Sequence, residues 1–232
     1  MQRVVLLILV CSFPVLWGCA ATERASDEKL VESGFLEGYY SRMRPGDDGE
    51  GLHVYRNLRA LDIIRKSDAI LLEPVQLWLP EDSALTAAQA QAIAGRFYAT
   101  LSAALAEDYR IIDAPEPGAL RFEVALTAAE GADVARDVIS KAVAPARVLS
   151  TAASKITGKP MFQGSAAIEA KISDAMTGEV MVASMDRRVG GNAINAATLK
   201  TWGDVYEIMD FWTAAIRYKL CSARGDAVCI EP

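Results

Sequence analysis

The sequence predicts an α+β fold, an antiparallel or mixed sheet packed against two main helices with a helical insertion between strands. Three observations carry that expectation. Leu120, Phe122, Val124 and Leu126 alternate with Arg121, Glu123 and Thr127, the period-two pattern of a half-buried strand. Ile93, Phe97, Leu101 and Leu105 recur at helical spacing, and so do Val205, Ile208, Met209, Trp212, Ile216 and Leu220. Strand-like runs surround these two stretches in the order strand, helix, strand, strand, insertion, strand, strand, helix, which gathers the helices around one sheet.

Taken in order, Val31–Ser41 holds Gly34 and Gly38, which make a regular helix poor, and it leads to the turn Arg44-Pro45-Gly46-Asp47-Asp48-Gly49. Tyr39, Tyr40 and Tyr55 flank that polar loop and are candidates for an exposed recognition surface. Asp68–Leu79 is apolar and mostly extended, and Pro74, lacking an amide donor, predicts an edge position or a bulge. Thr86-Ala87-Ala88-Gln89 has capping-box spacing, so the first long helix starts there. Tyr109–Asp113 is a short strand, and Ala114-Pro115-Glu116-Pro117-Gly118 turns the chain into the alternating strand. Ala166–Ser173 alternates again, with Ile168, Ala170 and Ile172 inward and Glu169 and Lys171 outward. Asp174–Glu179 is a turn into a further strand, Val180–Val189. The last helix has a cap-like opening at Thr201-Trp202-Gly203-Asp204, with Trp202 and Trp212 expected as cap and core.

The N-terminus speaks to location. Arg3 precedes an apolar run, Val4–Val10, which continues to Trp17 with only Ser12 and Pro14 as interruptions. The run is short of the roughly 20 apolar residues of a spanning helix and has the form of a secretory leader. Leu16, Gly18 and Cys19 resemble the bacterial lipoprotein box, with Trp17 bulkier than usual between them. The resemblance implies that residues 1–18 are removed and that Cys19 becomes a lipidated N-terminus. Two or more acyl chains are what stable membrane anchoring requires. Ala20 after the cysteine implies sorting to the outer membrane, facing the periplasm. The alternative is an ordinary secretory leader with a coincidental cysteine. Residues 19–30 are small, polar and charged without a period and read as a lipidated tether, leaving 31–232 as a single domain.

Loss of Arg3 with the leader takes the 24 Lys and Arg to 23, against 30 Asp and Glu, a formal −7. An acidic body argues against nucleic-acid binding, which draws its affinity from cations on phosphates. With Cys11 in the leader and Cys19 taken by lipid, Cys221 and Cys229 are left as an even pair in an oxidising compartment, where a disulfide is expected. A zinc site is the rival and lacks nearby His ligands, so no metal and no cofactor is expected.

The insertion 131–160 departs from the rest. Ala135, Val138, Ile139, Ala142, Ala146 and Leu149 fall near one helical face, and Pro145 must kink or split that helix. Arg136, Lys141, Arg147, Lys155 and Lys159 outnumber Asp133 and Asp137 in an otherwise acidic chain. Such a segment can lie on an anionic membrane or dock a partner. Its alanine-rich stripe equally suits a helical hairpin that covers the sheet.

Ser33-Gly34-Phe35-Leu36 with Tyr40-Ser41, the Asp174-Ala175-Met176-Thr177-Gly178-Glu179 hairpin and Trp202-Gly203-Asp204 are similar to the domain of unknown function 3313 family of bacterial lipoproteins. The resemblance covers nearly the whole mature chain and implies a small periplasm-facing lipoprotein without implying an activity. His53 is the only histidine, and the sequence has neither a glycine-rich phosphate loop nor a Gly-x-Ser-x-Gly elbow. Nothing in the sequence excludes a hydrolase assembled from distant residues. The expectation is a non-enzymatic accessory or binding subunit of an envelope system, with an envelope protein as partner. The second reading is a lipid- or envelope-polymer-binding module that uses segment 131–160.

Overall fold

The computed structural model describes residues 22–132, 164–190, 201–226 and 228–232. Cys19 and the cations Arg136, Lys141, Arg147, Lys155 and Lys159 lie outside the described residues. The strands are β1 (Thr22–Arg24), β2 (Arg44–Pro45), β3 (His53–Arg56), β4 (Ala69–Leu72), β5 (Gln76–Leu77), β6 (Arg110–Ile112), β7 (Leu120–Glu130), β8 (Ser165–Asp174) and β9 (Val180–Gly190). The helices are α1 (Ala60–Lys66), α2 (Ala87–Leu105) and α3 (Gly203–Arg224), with 3-10 turns at Asp27–Lys29 and Glu37–Arg42.

One sheet runs in the order β2-β3-β9-β8-β7-β4-β6, with β1 also on β9 and β5 also on β7. Pairing is antiparallel from β2 to β7 and parallel where β4 meets β6 and β7 and where β5 meets β7. The mixed α+β sheet with two main helices is the expected class. Chain between β4 and the parallel β6 passes through α2, the crossover that parallel pairing requires. Pro74 does not put β4 at an edge, because β4 lies between β6 and β7; the chain breaks there and resumes as β5. β1 departs from the tether reading of residues 19–30: Thr22 pairs with Gly190 and Arg24 with Arg188. Arg188 donates to the Thr22 hydroxyl at 2.8 Å and to its carbonyl at 3.2 Å.

α2 and α3 cover one sheet face, where Leu120, Phe122, Val124 and Leu126 are buried as the alternation requires. The capping box forms, with the Gln89 amide donating to the Thr86 hydroxyl and the Thr86 amide to the Gln89 side chain. α3 starts differently from its cap-like sequence. Its N-cap, Trp202, makes no side-chain capping bond, and buried Asp204 instead accepts the Gly164 amide at 2.6 Å. The helix ends at Gly225, φ +81°, whose amide donates to the carbonyls of Cys221 and Ser222. That left-handed closing turn favours glycine. Just beyond it, the Cys221–Cys229 disulfide ties the tail back to the helix.

The opposite face is also covered, which the sequence reading missed. Phe35, Leu36, Met43 and Tyr55 form a second buried cluster with Ala125, Val180, Ala183 and Met185. Glu169, expected to point outward, therefore ends 1% exposed. Its carboxylate accepts the Ser33 amide at 2.9 Å and the hydroxyls of Ser33 and Tyr40, both at 2.8 Å. Gly34 has φ +99°, a conformation other residues rarely adopt, and its amide donates to the Tyr40 oxygen. The tyrosines accordingly form no exposed recognition surface: Tyr55 is buried, and Tyr39 lies 5.0 Å from it between ring centroids.

Candidate functional site

On the helix face, α1 and α3 stand over β3, β7, β8 and β9. A cleft of about 590 Å³ opens there. Its floor is Val54 of β3 with Val182 and Ser184 of β9, and its walls come from α3 (Trp212, Ala215, Ile216) and from α1 (Ala60, Leu61, Ile64). The volume suits a small-molecule ligand and the lining is mostly apolar, the usual character of a binding pocket. Leu58 and Leu61 stand at the opening and are the exposed side chains of the lip, Leu58 fully so.

Polar groups fall at two levels. Deep in the cleft, Asp186 accepts Trp212 Nε1–H at 2.7 Å and the Leu52 amide at 3.2 Å, on separate oxygens. Burial pushes its pKa above the ordinary carboxylate value, against the opposing Trp212 bond and the nearby Arg188 and Arg24 charges. At the mouth, Glu50 pairs with Arg56 and lies 3.5 Å from Lys219 Nζ. Burial acts to raise the Glu50 pKa, and Arg56, the Asp47 amide and Lys219 outweigh it, leaving the carboxyl below its ordinary value. Two partly exposed cations thus share one carboxylate.

The mouth is built by loop 47–51. Arg24 of β1 donates to the carbonyls of Asp47, Glu50 and Gly51 at 3.0, 2.7 and 3.1 Å. Gly51 lies so close to β9 that a Cβ on it would come within 2.1 Å of Ser184 Oγ, so glycine is needed for this approach. The N-terminal strand therefore holds the loop that shapes the opening.

Of the residues singled out in the sequence, Cys221 and Cys229 meet as the expected disulfide. His53 sits in β3 with Nε2 3.6 Å from Asp27 and is not among the residues lining the cleft. Among the described residues no cluster of His, Cys, Asp and Glu could hold a metal ion, and no helix is long and apolar enough to cross a membrane. The cleft residues were invisible as a group because Arg56, Asp186 and Lys219 lie on three separate elements. His53-Val54-Tyr55-Arg56 shows no apolar–polar alternation, and both Val54 and Tyr55 are buried, so this short strand carried no periodic signal in the sequence.

A family model described as a protein of unknown function (DUF3313) matches residues 31–216. The chain is similar to two solved structures of the PelC dodecamer from Paraburkholderia phytofirmans. A point variant is 10% identical over 63% of this chain and 88% of that one, with a TM-score of 0.32. The other is 11% identical over 64% and 89%, with a TM-score of 0.31. No curated protein matches the chain.

Proposed function

The chain belongs to the DUF3313 family of proteins of unknown function, and we propose from that premise that it is a non-enzymatic binding subunit of the bacterial envelope. In this reading it is lipid-anchored through Cys19 to the outer membrane and faces the periplasm. The observation that carries it is the apolar cleft between β3, β9, α1 and α3, a preformed cavity with Glu50, Arg56 and Lys219 gathered at its mouth. Asp186, the buried carboxyl of the cleft, accepts Trp212 Nε1–H and the Leu52 amide and so joins α3 and loop 47–52 to β9.

The anchor and the cleft are close along the chain. Two residues, Ala20 and Ala21, separate Cys19 from Thr22 of β1, a reach of at most about 11 Å. A lipidated Cys19 would hold the body against the membrane and bring loop 47–51, tied to Arg24, near its surface. Two measurements test the reading. Cys19→Ser should move the protein from the membrane fraction to the soluble one; a variant that still sediments with outer membranes contradicts the anchor. A photoreactive amino acid at Leu61, on the cleft lip, should give a discrete adduct with an envelope component in intact cells, and the absence of any adduct counts against a binding role for the cleft.

One topological observation favours the second reading, binding by segment 131–160. The ends from which 133–163 leave the sheet, Ala132 and Gly164, lie at the Thr22 end: Gly190 pairs with Thr22 and donates its amide to the Gly164 carbonyl. Exchange of Arg136, Lys141, Arg147, Lys155 and Lys159 for Gln should then reduce sedimentation of the Cys19→Ser chain with anionic vesicles. Unchanged sedimentation removes this reading.

A further inference from the structure

We infer that the cleft takes the alkyl chain of a single-chain anionic amphiphile, with its headgroup between Arg56 and Lys219. The inference rests on the binding role proposed above and adds the ligand class. Three observations point to it. The interior is lined mostly by apolar groups, among them Val54, Val182, Ala215 and Ile216, which gain from excluding water, and the oxygens of Asp186 there are already held by Trp212 and Leu52. The mouth holds two cations against the single carboxylate of Glu50, leaving one positive charge to be met from outside. Leu58 and Leu61, exposed to water, extend the apolar surface from the interior to the lip, so the stem of a chain stays in contact as it leaves the cavity.

The charge pattern selects the headgroup. Arg56 and Lys219 side chains are 48% and 38% exposed, whereas Glu50, which they share, is 15% exposed. An incoming carboxylate or phosphate reaches both cations from solvent without displacing Glu50 from the wall. A guanidinium offers a fork of donors to such an oxyanion and an ammonium offers a mobile one, so the pair accommodates either head. The cavity volume is that of a small-molecule site and accommodates one alkyl chain. Through Arg24 the mouth is held by the strand that follows the proposed anchor, so the lipid surface is the nearest source of such a ligand.

The test uses the full chain, produced with its leader and carried in phosphatidylcholine nanodiscs. The probe is palmitate with a photoreactive diazirine on its chain, beside the uncharged alcohol of the same chain. Labelling by the palmitate probe should map to peptides of β9 and α3, be competed by unlabelled palmitate and be lost in Ala215→Trp, which fills the cavity. Because Ala215→Trp can also disturb packing, the second variant is Arg56→Gln/Lys219→Gln, whose positions are exposed. It should weaken the palmitate probe at least tenfold and leave the alcohol probe unchanged. Equal binding of both probes by the unaltered chain overturns the headgroup assignment while leaving an apolar binding cleft. Labelling by neither probe, or labelling that persists in Ala215→Trp, overturns the inference, and the Leu61 adduct in cells then decides the binding role independently.

Discussion

Glu169 and Asp204 are the two buried carboxylates on which residues of the family-like motifs converge, and they act differently. Glu169 accepts three donors from Ser33 and Tyr40 and so fastens segment 33–42 to the sheet. Glu169→Gln puts an amide donor against these donors and should lower stability by about 1–3 kcal/mol in chemical denaturation; a change within error contradicts the role. Asp204 has one oxygen on the Gly164 amide and the other with no partner among the described residues. Burial raises its pKa over the opposing Gly164 bond. A raised carboxyl favours the folded state most below its unfolded pKa, and that contribution is lost as pH rises through the folded value. Asp204→Asn, which never ionises, should therefore gain on the unaltered protein as pH rises above the ordinary carboxylate value. A difference flat in pH, or one that falls, contradicts this assignment. Neither role was legible in sequence, since Glu169 occupies an outward position of its strand and only the segment packed over it makes that position interior.

At the scale of elements, local signals held where the chain supplies its own partners. Thr86 and Gln89 are three residues apart, so the capping box needed no tertiary information, and Thr86→Ala should cost about 1 kcal/mol in a denaturant titration. A loss near zero would mean that packing of Phe97 and Leu101 alone sets that helix end. The Cys221–Cys229 pair is similarly local and closes a short loop after Gly225. Cys221→Ser/Cys229→Ser should lower stability by about 2–3 kcal/mol on the chain-entropy account, with faster amide exchange confined to residues after 220. Exchange that rises through β7 and β8 instead would give the bond a wider role. β1 and β3 were harder to read, at three and four residues each, and both owe their existence to β9 as a template. β1 lies within a polar stretch whose composition alone reads as a tether; the Thr22–Arg188 contacts, which join residues far apart in sequence, turn it into sheet.

At the scale of the whole molecule, the α+β class, the two long helices and the disulfide were legible because periodicity and cysteine parity report them directly, whereas the order of strands in the sheet was not. The cleft was not legible either, because a cavity is the place where packing stops, and its lining comes from β3, β7, β8, β9, α1 and α3, elements far apart in sequence. The proposal as a whole joins an anchor at Cys19 to an apolar cleft whose cationic mouth is built by the loop that Arg24 of β1 holds. Native mass spectrometry of the protein released from nanodiscs made with its own cell membranes tests this claim most directly. The account predicts a single-chain anionic lipid retained beyond the mass of the anchored polypeptide, and its loss in Ala215→Trp. The polypeptide and its anchor alone in both proteins, or a retained lipid indifferent to that substitution, would contradict it.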